Sequence, residues 1–154
     1  MNLFKMLMGV GIPSKLTINS NFYLEMRDEF GNIKEEREVH NTVTTAGKAG
    51  VADQILASPT LVKMGWMAIG TGSPAANALG TELDRNAFTS KTRGTNIITV
   101  VGNWEAGDGT GAITEAGTFD QVSIGGNMWM SATFAVVNKG ANDTLQITWT
   151  LTIN

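Results

Sequence analysis

The chain of 154 residues contains no cysteine, one histidine, one tyrosine and three prolines. Without cysteine there are no disulfides, no thiolate metal sites and no cysteine nucleophile, so apolar burial alone must hold the core. A single histidine, His40, excludes multi-histidine metal clusters and most histidine-dependent triads. Charge is also scarce. Charged residues make up 16% against a typical quarter, the net charge is −3, and no basic face is concentrated enough for sequence-independent nucleic-acid binding. The longest N-terminal apolar stretch, Met6 to Ile12, falls far short of the ~20 residues a membrane span needs.

Glycine, threonine, serine and asparagine carry most of the polar character, and 42% of the residues are hydrophobic. A domain of this length buries roughly 70% of its unfolded surface, enough for one core without staples. The period of the hydrophobic residues then names the class. From Asp143 the chain reads DTLQITWTLTIN, with Leu145, Ile147, Trp149, Leu151 and Ile153 alternating against threonine and glutamine. That is a strand with one buried and one wet face. NMWMSATFAVV before it also alternates, placing Met128, Met130, Ala132, Phe134 and Val136 on one side. NKGAND joins the two as a hairpin turn in which Gly140 would supply a positive φ.

Further strands are expected over Asn21–Arg27 and Ile33–His40, turning at Gly31 and Asn32. The second carries Glu35, Glu36 and Glu38 and reads as a sheet edge, where charge discourages unwanted pairing. Asn41 to Ser58 changes to a helical period, with Ala46, Ala49, Ala52, Ile55 and Leu56 on a stripe, a threonine N-cap at Thr44 or Thr45, and Pro59 as a stop. Gly47 and Gly50 weaken that helix and imply a close approach to a sheet. Val62–Gly72 and Thr95–Trp104 read as strands, and QVSIG as a short one. SPAANALGTELDRNAF and EAGDGTGAITEAGTFD read as loops. The fold class expected is mainly β: an antiparallel sandwich or barrel with one short helix, residues 19–154 forming the domain and residues 1–18 an extended N-terminal arm.

Candidate chemistry is thin. GTGSPAANALGTE has neither the P-loop spacing nor the dinucleotide fingerprint, so Gly70 and Gly72 read as turn residues. Glu105, Asp108 and Glu115 on a glycine-rich stretch lack the spacing of a calcium loop, and Glu115 reads as an acceptor for backbone N–H groups that shapes the loop. Glu82, Asp84, Arg85, Lys91 and Arg93 read as a wet, mixed-charge loop. No catalytic residue, metal site or cofactor is expected. The residues expected to touch partners are Leu3, Phe4, Met6, Leu7 and Met8 on the arm, Glu35, Glu36 and Arg37 as a polar rim, and Trp129 at a subunit contact.

Taken in order, VHNTVTTAGKAGVADQIL, MAIGTGSPAANALGTELDR, AITEAGTFD, GGNMWMSATF and NKGANDTLQITWTLTIN resemble a group of tailed-bacteriophage virion structural proteins, over about residues 39–154. The resemblance implies a rigid β module without catalytic residues, assembled into the virion in the host cytoplasm. It points to a capsid decoration (cement) protein that binds the major capsid protein and copies of itself as a trimer, with no nucleic-acid or membrane partner. A tail, baseplate or fibre-attachment protein is the alternative, and a carbohydrate-binding host-recognition module a third.

Overall fold

A computed structural model describes residues 15–154. Among them the chain forms β1 (Ile18–Arg27), β2 (Ile33–Val43), α1 (Thr45–Asp53), β3 (Trp66–Gly70), β4 (Glu82–Ala87), β5 (Ser90–Arg93), β6 (Ile97–Trp104), β7 (Gly111–Phe119), β8 (Met128–Lys139) and β9 (Thr144–Ile153). The strands make one antiparallel sheet in the order β4-β3-β7-β8-β2-β1-β9-β6-β5. Its two outermost strands, β4 and β5, are consecutive in the chain. Phe88 and Thr89 bridge them, their N–H groups donating to Gly65 on one side (3.0 Å) and Val101 on the other (2.8 Å). Asn86 Nδ2 of β4 also reaches Asn103 O of β6 at 3.0 Å. The sheet therefore curls on itself into a barrel-like body, as the mainly β class requires.

The alternating face of β9 is buried as its period demands: Leu145, Ile147, Trp149 and Leu151 all lie in the core. Beneath it Phe22 stacks on Phe134 at 5.4 Å and meets the edge of Trp149 at 4.9 Å. An aromatic side chain buries about 150–250 Å², so Phe22, Trp104 and Trp149 each contribute roughly 4–6 kcal/mol of transfer free energy. The indole N–H of Trp149 finds a side-chain hydroxyl, Ser20 Oγ at 2.9 Å, rather than backbone.

β2 is an edge for most of its length and then is not. Ile33 to His40 bond β1 alone, while Asn41 to Val43 leave β1 and pair with Met130–Ala132 of β8. Asn41 stands at the change of partner. With its amide oxygen facing donors, it accepts from Trp149 Nε1 (2.7 Å) and from Ser20 Oγ, and its nitrogen donates to Ser20 O at 2.6 Å. Asn41 thus supplies to Ser20 the bond that the backbone of β2 no longer makes.

Several expectations change. Asn41–Val43 belong to a strand, and α1 ends at Asp53 with Gln54 as C-cap, before Pro59. Thr44 is the N-cap, accepting from Gly47 N at 2.9 Å. The packed face of α1 carries Gly47 and Gly50, whereas Ala49 and Ala52 are exposed. The stretches read as loops contain β4, β5 and β7, and QVSIG is a bend rather than a strand. β8 slips its period: its register against β7 shifts between Ile113 and Glu115, so Val137 is buried and Val136 exposed. Gly140 does not take a positive φ; instead Asp143 Oδ2 accepts its N–H at 2.8 Å and closes the turn.

Candidate functional site

Several buried or half-buried charged side chains of the fold hold loop backbone. Glu115 of β7 is fully buried, and its carboxylate accepts backbone N–H from Gly72 (2.9 Å), Gly80 (2.8 Å) and Thr81 (2.8 Å). Thr114 Oγ1 adds a bond to Gly72 O at 2.8 Å. The two glycine-bearing motifs thus meet in space: Glu115 accepts backbone N–H groups as expected, but from β7 it shapes the loop between β3 and β4 rather than its own glycine-rich stretch. Gly70 makes room for it, since a Cβ there would lie 2.5 Å from both Glu115 Oε1 and Thr81 O.

A second brace holds the loop between β7 and β8. Arg85 of β4 forms a two-pronged ion pair with Glu82 (2.6 and 2.8 Å), both side chains nearly buried, so this part of the mixed-charge segment is not wet. Its remaining nitrogen, Nη1, donates to Gln121 O at 2.8 Å and Gly125 O at 3.3 Å, and the guanidinium lies 3.7 Å from the Phe119 ring centroid. Asp120 closes the same loop onto Asn127 through N (2.7 Å) and Nδ2 (2.8 Å). Gly125 and Gly126 take positive φ there, at 106° and 74°.

The third brace follows α1. Asp53 accepts from Thr60 N (2.9 Å), Thr60 Oγ1 (3.0 Å) and Leu61 N (2.9 Å), and these bonds, led by Leu61 N–H, hold its carboxyl below the usual aspartate value. At the other end of the molecule Lys34 Nζ bonds Asp143 Oδ2 at 2.6 Å and lowers that carboxyl's pKa. Lys139 is buried and donates to Glu105 O at 2.9 Å; desolvation lowers its pKa despite the attraction of Asp143.

What these braces hold outward is apolar. Ile55, Leu56, Leu61 and Val62 stand exposed on the loop after α1, Ile55 by 77%. Val122 and Ile124 do the same on the loop before β8, Ile124 by 80%. Both loops lie at one end of the body, since Trp66 at the start of β3 pairs with Phe119, and Phe119 with Met128. The sequence reading missed them because Ile55 and Leu56 fit a helical stripe that stops short, and Val122 and Ile124 fit a strand that does not form.

Of the residues expected to touch partners, Leu3, Phe4, Met6, Leu7 and Met8 lie outside the described residues. Glu35, Glu36 and Arg37 lie together on the stretch of β2 that pairs with β1 alone. Glu36 is exposed and accepts from Tyr23 Oη at 2.6 Å, which pushes the phenol up to about 12. Glu35 and Arg37 pair with each other on the other, half-buried side of the strand. Trp129 is only 6% exposed: α1 covers it, and a Cβ at Gly47 or Gly50 would strike its carbonyl oxygen at 2.1 Å or its ring at 2.4 Å. The helix occupies the face a partner would need.

Glu105, Asp108 and Glu115 are not drawn together, and among the described residues no group of three or more histidine, aspartate or glutamate side chains is placed to hold a metal ion. A cleft of about 680 Å³ is lined by the start of β1, the end of β2, Lys48 of α1, Thr152 and Asn154. Its walls are mostly amide and hydroxyl side chains, with His40 and Lys48 as the basic groups.

No protein-family model, no curated protein and no solved structure matches the chain.

Proposed function

We propose that this chain is a structural protein of a tailed-phage virion, a decoration protein that binds the major capsid protein on the outside of the head shell and assembles with further copies of itself as a trimer. The observation that carries the proposal is where the buried charge goes. Glu115, Arg85 with Glu82, and Asp120 are spent on loop backbone rather than aimed into a cavity, and the loops that Arg85 and Asp53 fix display apolar side chains. Groups locked in this way are poorly suited to proton transfer. They suit a body whose contact surface must not deform as it meets a lattice, where several modest contacts act together through one rigid unit.

The test is binding of the purified protein to emptied, expanded phage heads and, separately, to detached tails, read by co-sedimentation and microscopy. Saturable binding to heads with regular protrusions is the expected result. Binding to tails alone would replace decoration with a tail or fibre-attachment role, and binding to neither would reject the virion assignment.

A further inference from the structure

The departure of β2 from β1 leaves a fork in the sheet, and the 680 Å³ cleft is that fork. Its walls can be assigned residue by residue. Thr17 and Asn154 exchange both backbone bonds (2.6 and 2.8 Å), so the backbone of Thr17 faces β9. Backbone polarity alternates along an antiparallel strand, so Ile18 and Ser20 face the other way, into the fork. On the opposite wall Thr44 N donates to Trp129 O at 3.0 Å and faces β8. By the same alternation Asn41 and Val43 face the fork. At its apex the Asn41 side chain satisfies Ser20 O. Farther out, Ile18 and Val43 have no partner strand on that side among the described residues. Two strand edges with open N–H and C=O groups therefore face one another across a slot, and Asn19, Asn21, Thr42 and Lys48 line it with polar side chains. Such a slot reads the main chain of its guest more than the guest's side chains.

We infer that the fork receives an extended segment from residues 1–14 of a second copy of this chain, held by main-chain bonds to Ile18 on one wall and Val43 on the other. The chain itself argues for that guest. Residues 1–14 precede Lys15, which lies three residues before the wall residue Ile18, so each copy carries such a segment beside its own slot. Fourteen residues extend to about 46–50 Å at most, ample to leave one copy and enter the next. Entry into the slot of the same copy would demand a reversal within the few residues before β1, whereas exchange between copies needs none. Exchange around a closed ring also leaves no slot unfilled. The inference rests on the self-assembly part of the proposed function and concerns copies of this chain only.

The test exploits the absence of cysteine. Full-length Thr42→Cys, placing a thiol on the slot wall, is mixed with full-length Met6→Cys or Met8→Cys and oxidised. The expected result is a disulfide-linked pair of the two different chains, about tenfold more abundant than when Thr42→Cys is replaced by Lys91→Cys on exposed β5. In parallel, the amides of Ile18 and Val43 in the unmodified full-length protein should exchange about tenfold more slowly at high than at low protein concentration. The inference is overturned if no excess of the mixed disulfide forms. It is also overturned if a protein carrying both cysteines closes them only within one chain. Both readouts use purified protein without heads or tails, so failure to bind heads would leave them intact, and their failure would leave head binding intact.

Discussion

Replacing Glu115 tests the idea that buried charge here braces backbone. The carboxylate accepts three backbone N–H groups at 2.8–2.9 Å and is fully buried. Glu115→Ala strips all three donors of their partner at once. An unsatisfied buried donor costs about 1–3 kcal/mol, but Gly72 is half-buried and Gly80 and Thr81 are exposed, so water can replace part of the carboxylate and the expected loss is roughly 2–4 kcal/mol. That is a large fraction of the ~5–15 kcal/mol a domain possesses, and the alanine protein is expected to fold poorly. Glu115→Gln is the quantitative probe. Oε1 serves Gly72 and Thr81 and Oε2 serves Gly80, so an amide oriented to keep the first pair turns its NH2 against Gly80 N–H. One bond becomes a clash of donors and the other two lose the charge that strengthens them, together about 2–4 kcal/mol. Equilibrium urea unfolding followed by tryptophan fluorescence and far-UV circular dichroism measures this directly, with the m-value expected to stay unchanged. Local amide exchange should accelerate at Gly72, Gly80 and Thr81 before it does elsewhere. If Glu115→Gln shifts stability by less than about 0.5 kcal/mol, water must share these donors already and the bracing argument fails.

Gly50→Ala should destabilise although alanine favours helices, because its Cβ would lie 2.4 Å from the Trp129 ring; about 1–3 kcal/mol of overpacking outweighs about 1 kcal/mol of helix propensity, read as a fall in Tm. The pKa of Tyr23, pushed up to about 12 by its hydrogen bond to Glu36, should return toward 10 in Glu36→Gln, and as the sole tyrosine it can be titrated by ultraviolet absorbance alone. Since the folded phenol holds its proton more tightly than the unfolded one, this bond's contribution is complete below pH 10 and disappears between 10 and about 12. Asp28, Asp53 and Asp143 all have folded pKa values lowered below 3.8, so their contribution is present above that value and is lost as pH falls through the lowered folded values; acid unfolding of Asp143→Asn should start from lower stability and show a shallower pH dependence.

The parts of the fold that were legible are those in which one face meets the core over many residues. β9 announces itself because Leu145, Ile147, Trp149 and Leu151 all point into one continuous core. β7 does not, because Glu115 to Phe119 are buried on both faces, with Ala116 in the main core and Glu115 and Gly117 at buried positions on the other face, so no alternation marks the strand. Those two are there for tertiary reasons: Glu115 reaches the loop before β4, and Gly117 leaves room for Met128 and Leu79. β4 and β5 are the two edges of the sheet, and an edge that carries Glu82, Arg85, Lys91 and Arg93 has no clean period to read. The N-cap threonine at the start of α1 was legible, but neighbouring sequence cannot announce that Asn41–Val43 before it are a strand, since they become one only by pairing with β8, which lies some ninety residues onward. The same cause hid the exposed apolar loops. A loop whose apolar residues stay in water looks, in one dimension, like a strand or helix whose apolar residues are buried, and only the distant carboxylates and guanidinium that pin its backbone distinguish the two.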